Sequence, residues 1–285
     1  MLTHRIRACA LLMSAAAVLA AASAAAAAAD ATLKVCADPA NLPLSNDKGE
    51  GYENKLAEAL AHDLGRSVEY VFFPQRMGFV RNTLRMKDEQ TQQFRCDLIM
   101  GVPDQYDLTA TTQPYLHSTY ALILAPRKDL ESLRTAEDLL KLAPGALAGI
   151  HIGVFSRSPG NDWLLKNSLM EQAVVYSHQT GDVQESPGLT IERDLASGKI
   201  EAGILWGPIA AMLASRHAQE HWRAVPFVPD STIRFDYKIS MGLRNGEVEW
   251  KRTLDAWIAG HAAEINSILK EYRIPVVDAA GHVEM

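Results

Sequence analysis

The sequence predicts an α/β protein of two lobes, each a mixed, mostly parallel sheet flanked by helices. Three observations carry this. Apolar runs opening at Leu33, Val68 and Asp97 are separated by helical spacing, the βαβαβ alternation of a parallel sheet. A second series of such runs follows between Ile150 and Leu205. Residues 1–29 read as an export signal, and the remaining ~255 residues suffice for two lobes of ordinary domain size.

In chain order, Leu33 opens a strand that ends in Asp38-Pro39 and feeds a loop rich in Pro and Asn. The stretch to Gly65 then spaces its apolar residues as an amphipathic helix. Val68 to Phe73 is a β-branched and aromatic strand stopped by Pro74. Met77 to Met86 has helical spacing, and Lys87 to Arg95 is a polar surface loop. Asp97 to Val102 and Tyr115 to Ala125 are strands closed by Pro103 and Pro126. The second unit has a short helix at Thr135–Leu142 and a strand at Ile150–Phe155. A helix follows at Asn161–Met170, with Asn161 or Asp162 as its cap. Strands at Ala173–Tyr176 and Ala202–Leu205 flank a helix at Ile191–Ala196, and Pro208–Arg216 is helical. Tyr237–Leu243 is a strand, and Val248–Tyr272 is a helix pattern broken near Gly260. The expected division is 1–29 signal, 30–125 plus 227–285 for lobe one, and 126–226 for lobe two.

Arg5 and Arg7 begin the signal, an apolar Ala8–Ala22 follows, and Ala27-Ala28-Ala29 forms a small-residue cleavage site. A membrane anchor is the competing reading, but the run is poor in Leu and Ile. No later segment approaches the ~18 continuous apolar residues a span needs. A soluble periplasmic chain is therefore expected. Its formal net charge of −6, or −8 without Arg5 and Arg7, and its lack of a basic block argue against nucleic acid as a partner. Cys9 leaves with the signal. Two cysteines in an exported chain suggest a Cys36–Cys96 disulfide. If their strands are parallel neighbours in register, however, the two lie beyond the roughly 7 Å Cα limit. Both readings stay open, and no clustered ligands support a metal at either cysteine.

Several motifs together resemble the family-3 extracellular solute-binding proteins: CADPANLP, GYENKLAEALAHDLG, FFPQRMGF, CDLIMGVP, TTQPYLHSTYALI and FDYKISMGLRNG. The resemblance spans nearly the whole mature chain and implies the two-lobed type II periplasmic-binding fold, a clamp on a small ligand. Amino-acid-binding members hold the ligand carboxylate with an Arg and its amine with an Asp. Counting back from Pro114, the Arg position falls on Tyr106; in EAGILWGP, the Asp position falls on Trp206. Without a bidentate Arg, a buried zwitterion would cost several kcal/mol of desolvation, so a free amino acid is not the expected ligand. More narrowly, VCADPANLPLSN, GYENK, PQRMGFVRNTL and QPYLHSTY resemble the binding-protein-like component of quinoprotein methanol dehydrogenase systems, the MxaJ/XoxJ type. That resemblance implies a non-catalytic periplasmic accessory protein without a cofactor of its own. Its partners would be a PQQ-dependent methanol dehydrogenase and its cytochrome c. The loop KDEQTQQF points to the lanthanide-associated branch. The alternatives are an ABC-transporter receptor for a small, partly apolar ligand and an enzyme such as a dehydratase. No poised acid–base pair supports the enzyme.

Asp38, at the end of the first strand, is a candidate ligand contact, against an Asx-turn that caps the loop. Asn41 stands in the same loop. Arg76 faces the cleft or a partner, against a solvated loop charge. Tyr106, Tyr115 and Trp206 are candidates for an aromatic cleft wall, against packing between lobes. Arg157, Ser158 and Asn161 surround a turn before a helix whose N-terminus could accept an anion. Glu53, near the start of the first helix, reads as structural, its carboxylate favoured by the helix dipole. Ser45 to Lys48 spells S-x-x-K, but in a loop, where chance is the better reading. His217 and His221, four apart on an expected helix, could share a metal but have no further ligands nearby.

Overall fold

A computed structural model describes residues 32–177 and 185–284; the expected signal at 1–29, with Cys9, lies outside them. The elements are β1 (Thr32–Ala37), β2 (Ala40–Asn41), β3 (Ser45–Asn46), α1 (Tyr52–Asp63), β4 (Ser67–Phe72), α2 (Phe79–Asn82) and β5 (Leu98–Pro103). They continue through β6 (Ala110–Thr111), β7 (Leu116–Leu124), α3 (Pro144–Leu147), β8 (Ile152–Phe155), α4 (Pro159–Lys166), β9 (Ala173–Tyr176) and α5 (Pro187–Ala196). The remainder is β10 (Ala202–Trp206), α6 (Gly207–Arg216), β11 (Arg223–Pro226), β12 (Asp236–Leu243), α7 (Val248–Gly260), α8 (Ala262–Glu271), β13 (Val276–Val277) and β14 (Val283–Glu284). No described helix is long and apolar enough to cross a membrane.

The large sheet runs β4-β1-β5-β12-β7-β10-β8-β9. β4, β1 and β5 are parallel, as are β10, β8 and β9, while β12 is antiparallel to both β5 and β7. Each lobe is thus a mixed sheet with a parallel section, flanked by helices. β7 serves both lobes. Leu116–Thr119 pair with β12, and Tyr120–Leu124 pair with β10. β11 joins the second half of β7, and Phe227 stacks on Phe235 at 4.2 Å inside the second core. The pairing therefore changes at Thr119–Tyr120 and again at Phe235–Asp236, rather than at Ala125–Pro126 and Pro226–Pro229. Pro126 ends the strand, but the strand is already long enough to run through both sheets.

In lobe one, Leu56 and Leu60 of α1 pack with Leu33, Val35, Leu98 and Met100 of the sheet and with Leu254 and Leu269 of α7 and α8. Each fully buried leucine contributes about 1.5–3 kcal/mol. α1 starts where Asn54 Oδ1 accepts the backbone N–H groups of Gly51 and Asn46, at 3.0 and 3.1 Å. A Cβ on Gly51 would meet the Leu44 carbonyl oxygen at 2.0 Å, so only glycine fits that approach. α1 ends at Asp63 with Leu64 as its C-cap, and Gly65 follows with a φ of +66°, the left-handed stop expected after a helix. The helical pattern from Val248 breaks at His261, one residue after Gly260, into α7 and α8. The Met77–Met86 pattern yields only α2, because Pro74 and Gly78 hold the preceding residues in a loop.

Cys36 and Cys96 are joined, with Cα atoms 5.6 Å apart. This corrects the register argument against a bond. β1 and β5 are parallel neighbours, with Cys36 opposite Ile99. The chain bends at Arg95 and Asp97, however, so Cys96 leaves the line of the strand. Asp97 fixes that bend: its N–H donates to the Lys34 carbonyl at 2.7 Å, and its Oδ2 accepts from the Lys34 N–H at 2.9 Å.

Candidate functional site

A cavity of about 490 Å³ lies between the lobes, at the carboxyl ends of β1, β4, β8 and β10. Lobe one supplies Asp38, Asn41, Gln75 and Arg76 to it; lobe two supplies Phe155, Thr190 and Trp206. Tyr120 enters from β7, at the point where the strand changes sheets.

The lobe-one rim is a hydrogen-bonded frame. Asp38 Oδ1 accepts from the Ala40 N–H at 2.9 Å, and Oδ2 accepts from the Gln75 N–H at 2.5 Å. The carboxylate therefore ties two loops together, and its Asx-turn role is the one the geometry displays. The Ser45 hydroxyl donates to the Asp38 carbonyl at 2.9 Å, which places the S-x-x-K serine in a loop clasp. Asn41 Nδ2 donates to Gln75 Oε1 at 3.2 Å, and Gln75 Nε2 donates to the Gly101 carbonyl at 3.3 Å.

The opposite wall is aromatic. Trp206 meets Tyr120 edge-on, with centroids 5.5 Å apart, and Tyr237 at 6.1 Å. Burial pushes the Tyr120 hydroxyl up to about 12, so it stays a neutral phenol at physiological pH. Gly207, next to Trp206, locks this wall to β7: a Cβ there would meet the Thr119 carbonyl oxygen at 2.2 Å. Trp206 was legible from the sequence; Tyr120 and Phe155 were not. Both sit in apolar strand runs, where an aromatic looks like core, and only the change of sheet inside β7 brings Tyr120 to the cavity.

Four sequence candidates line the cleft: Asp38, Asn41, Arg76 and Trp206. The others fall elsewhere. Tyr106 lines a second cavity, separated from the first by Gln75, Arg76 and Pro103, which border both. Tyr115 is buried in the lobe-one core. Ser158, rather than Asn161 or Asp162, caps α4: its Oγ accepts the Asn161 N–H and donates to the Phe155 carbonyl at 2.7 Å. That leaves Asn161 in the first turn and Arg157 exposed, neither of them lining the cleft. Arg76 is an arginine at the cleft rim despite the tyrosine at position 106.

Glu53 departs from expectation in its charge. It is buried, and burial followed by repulsion from Asp38 raises its carboxyl to about 8. A helix dipole is worth about 0.3–1 kcal/mol to a carboxylate, up to ~2. Full burial can shift a carboxyl by roughly 3–5 pKa units, each about 1.4 kcal/mol, so burial wins. The Tyr115 hydroxyl is buried nearby and is pushed well above its ordinary value by burial and then by Glu53.

Metal-ligand types meet in one described place: ligand atoms of Asp63, His261 and Glu264 lie within 4.8 Å of one another. Asp63 Oδ2 is already engaged by Trp257 Nε1 and His261 Nε2, each at 2.8 Å. His217 and His221 do not form a metal pair. α6 stops at Arg216, His221 has a φ of +60°, and His217 Nε2 lies 2.7 Å from Glu192 Oε1.

Two α/β lobes joined through β7, with a cavity at their facing strand ends, define the fold of a periplasmic binding protein. No protein-family model matches the chain. Protein MoxJ of Methylorubrum extorquens is 28% identical over 262 residues, covering 86% of this chain and 82% of MoxJ. The crystal structure of periplasmic binding protein XoxJ from Methylobacterium extorquens AM1 is 31% identical with a TM-score of 0.67, covering 86% of this chain and 99% of that one. MxaJ from Methylophaga aminisulfidivorans is 26% identical with a TM-score of 0.66 and the same two coverages. The chain belongs to the MoxJ/XoxJ/MxaJ family of periplasmic binding proteins.

Proposed function

We propose that this chain is a non-catalytic periplasmic accessory protein of a PQQ-dependent methanol dehydrogenase. It would aid that enzyme's activation, maturation or electron transfer to its cytochrome c. Residues 1–29 would be the signal that exports it. The observation that carries the proposal is similarity to XoxJ along 99% of that chain. The longer loop KDEQTQQF before Cys96 is the feature that favours the lanthanide-associated branch. Two features of the cleft support a partner-serving role: the Asp38 carboxylate is committed to backbone bonds, and Tyr120, Phe155 and Trp206 give the cleft aromatic surface.

The second reading is a transport receptor, favoured by the cavity of about 490 Å³ lined by Trp206, Tyr120 and Arg76. A ring stacked on the aromatics with an anionic group toward Arg76 would suit it. Two measurements separate the readings. Affinity capture with the tagged protein from periplasm of methanol-grown cells should recover the dehydrogenase. A thermal-shift screen of amino acids and small aromatic acids should stay flat. A ligand at 100 times its Kd would add about 2.7 kcal/mol of stability. A shift of that size with no dehydrogenase captured would favour the receptor.

A further inference from the structure

The cavity that holds Tyr106 lies beside the cleft and has a volume of about 700 Å³. Phe79, Val80 and Val102 form its floor, and they belong to the small core cluster that also contains Cys36 and Cys96. The disulfide thus braces this surface from beneath. Arg76, Arg81 and Arg85 line it, and no Asp or Glu does so, in a chain of formal net charge −6. Met77 is 78% exposed and Leu108 44% exposed on the same lining.

Scattered apolar side chains on a surface need no explanation, but an exposed Met and Leu in one concave patch with three arginines do. Arg, Met and aromatic residues are the types enriched where proteins meet, whereas Lys is depleted. Guanidinium groups pair with carboxylates in a planar fork. We propose that this groove docks a protein segment whose acidic side chains surround an apolar anchor. The segment would belong to the dehydrogenase partner named under Proposed function, and the inference rests on that reading. The apolar anchor enters between Met77, Tyr106 and Leu108, and its carboxylates meet Arg81 and Arg85. Because the groove shares Gln75, Arg76 and Pro103 with the cleft, a docked segment also reaches the cleft rim.

The test titrates the purified full-length mature protein against purified methanol dehydrogenase from the same cells, at low and high salt. Arg81→Glu should weaken binding about tenfold or more, and Met77→Ser several-fold. High salt should weaken the wild type but have less effect on Arg81→Glu. Leu165→Ser, a substitution at a 64% exposed residue of lobe two, serves as the control and should bind like wild type. Circular dichroism verifies that each variant folds. Wild-type binding that neither Arg81→Glu nor Met77→Ser weakens overturns the groove and leaves the proposed function standing. Absence of wild-type binding removes the proposed function and the groove together.

Discussion

Glu53 is held neutral by its surroundings, and the consequence is measurable. Its ordinary value of 4.5 is raised to about 8 by burial and the Asp38 charge. An unfolded chain ionises this carboxyl near 4.5, while the folded chain keeps its proton. The Glu53 contribution is therefore fully present below about 4.5 and is lost as pH rises through about 8. Urea unfolding at pH 6 and pH 9 should show wild type less stable at the higher pH, with that difference reduced in Glu53→Gln. An equal pH slope in both proteins would contradict the assignment. The residue was visible in the sequence as GYENK, yet its charge was not, because burial is set by Gly101 and the sheet below. A Cβ at Gly101 would lie 2.1 Å from Glu53 Oε1. Trp206 contrasts with it, since the family resemblance places it at the amine-binding Asp position of EAGILWGP, and it lines the cavity.

At the scale of elements, helix starts and close approaches set the architecture. Ser158→Ala should cost about 1 kcal/mol, the usual loss of an N-cap, measured as a shift in denaturation midpoint. Gly207→Ala should cost roughly 1–3 kcal/mol, because its Cβ would strike the Thr119 carbonyl rather than a movable side chain. It should also disturb Trp206 fluorescence. Cys36→Ser/Cys96→Ser removes a cross-link between residues 60 apart in sequence. Chain entropy predicts a loss of about 4 kcal/mol at that separation, read by chemical denaturation of the oxidised protein against the double variant. Ala173–Tyr176 was legible to the residue because β-branched residues stand between clear boundaries. β11 is not legible in the sequence, since Arg223–Pro226 is short and ends in proline, and its pairing depends on β7 far away in sequence. The disulfide is hidden for a local reason: Asp97 makes a bend that strand periodicity does not display.

At the scale of the molecule, the two-lobed α/β plan was readable from repeated strand–helix alternation, but the lobe boundaries were not. They depend on one strand, β7, pairing with β12 in its first half and with β10 in its second. That arrangement carries Tyr120 to the cavity. The resulting protein joins a cleft with an aromatic wall to a neighbouring arginine-lined groove, and the MoxJ/XoxJ/MxaJ family supplies the context for both. The proposed accessory role in methanol oxidation can be measured in the cell. Methanol dehydrogenase activity should be measured in periplasm from a strain lacking this gene and from the same strain complemented with it. Activity should fall on deletion and return with the wild-type chain; activity unchanged by the deletion would rule out an accessory role.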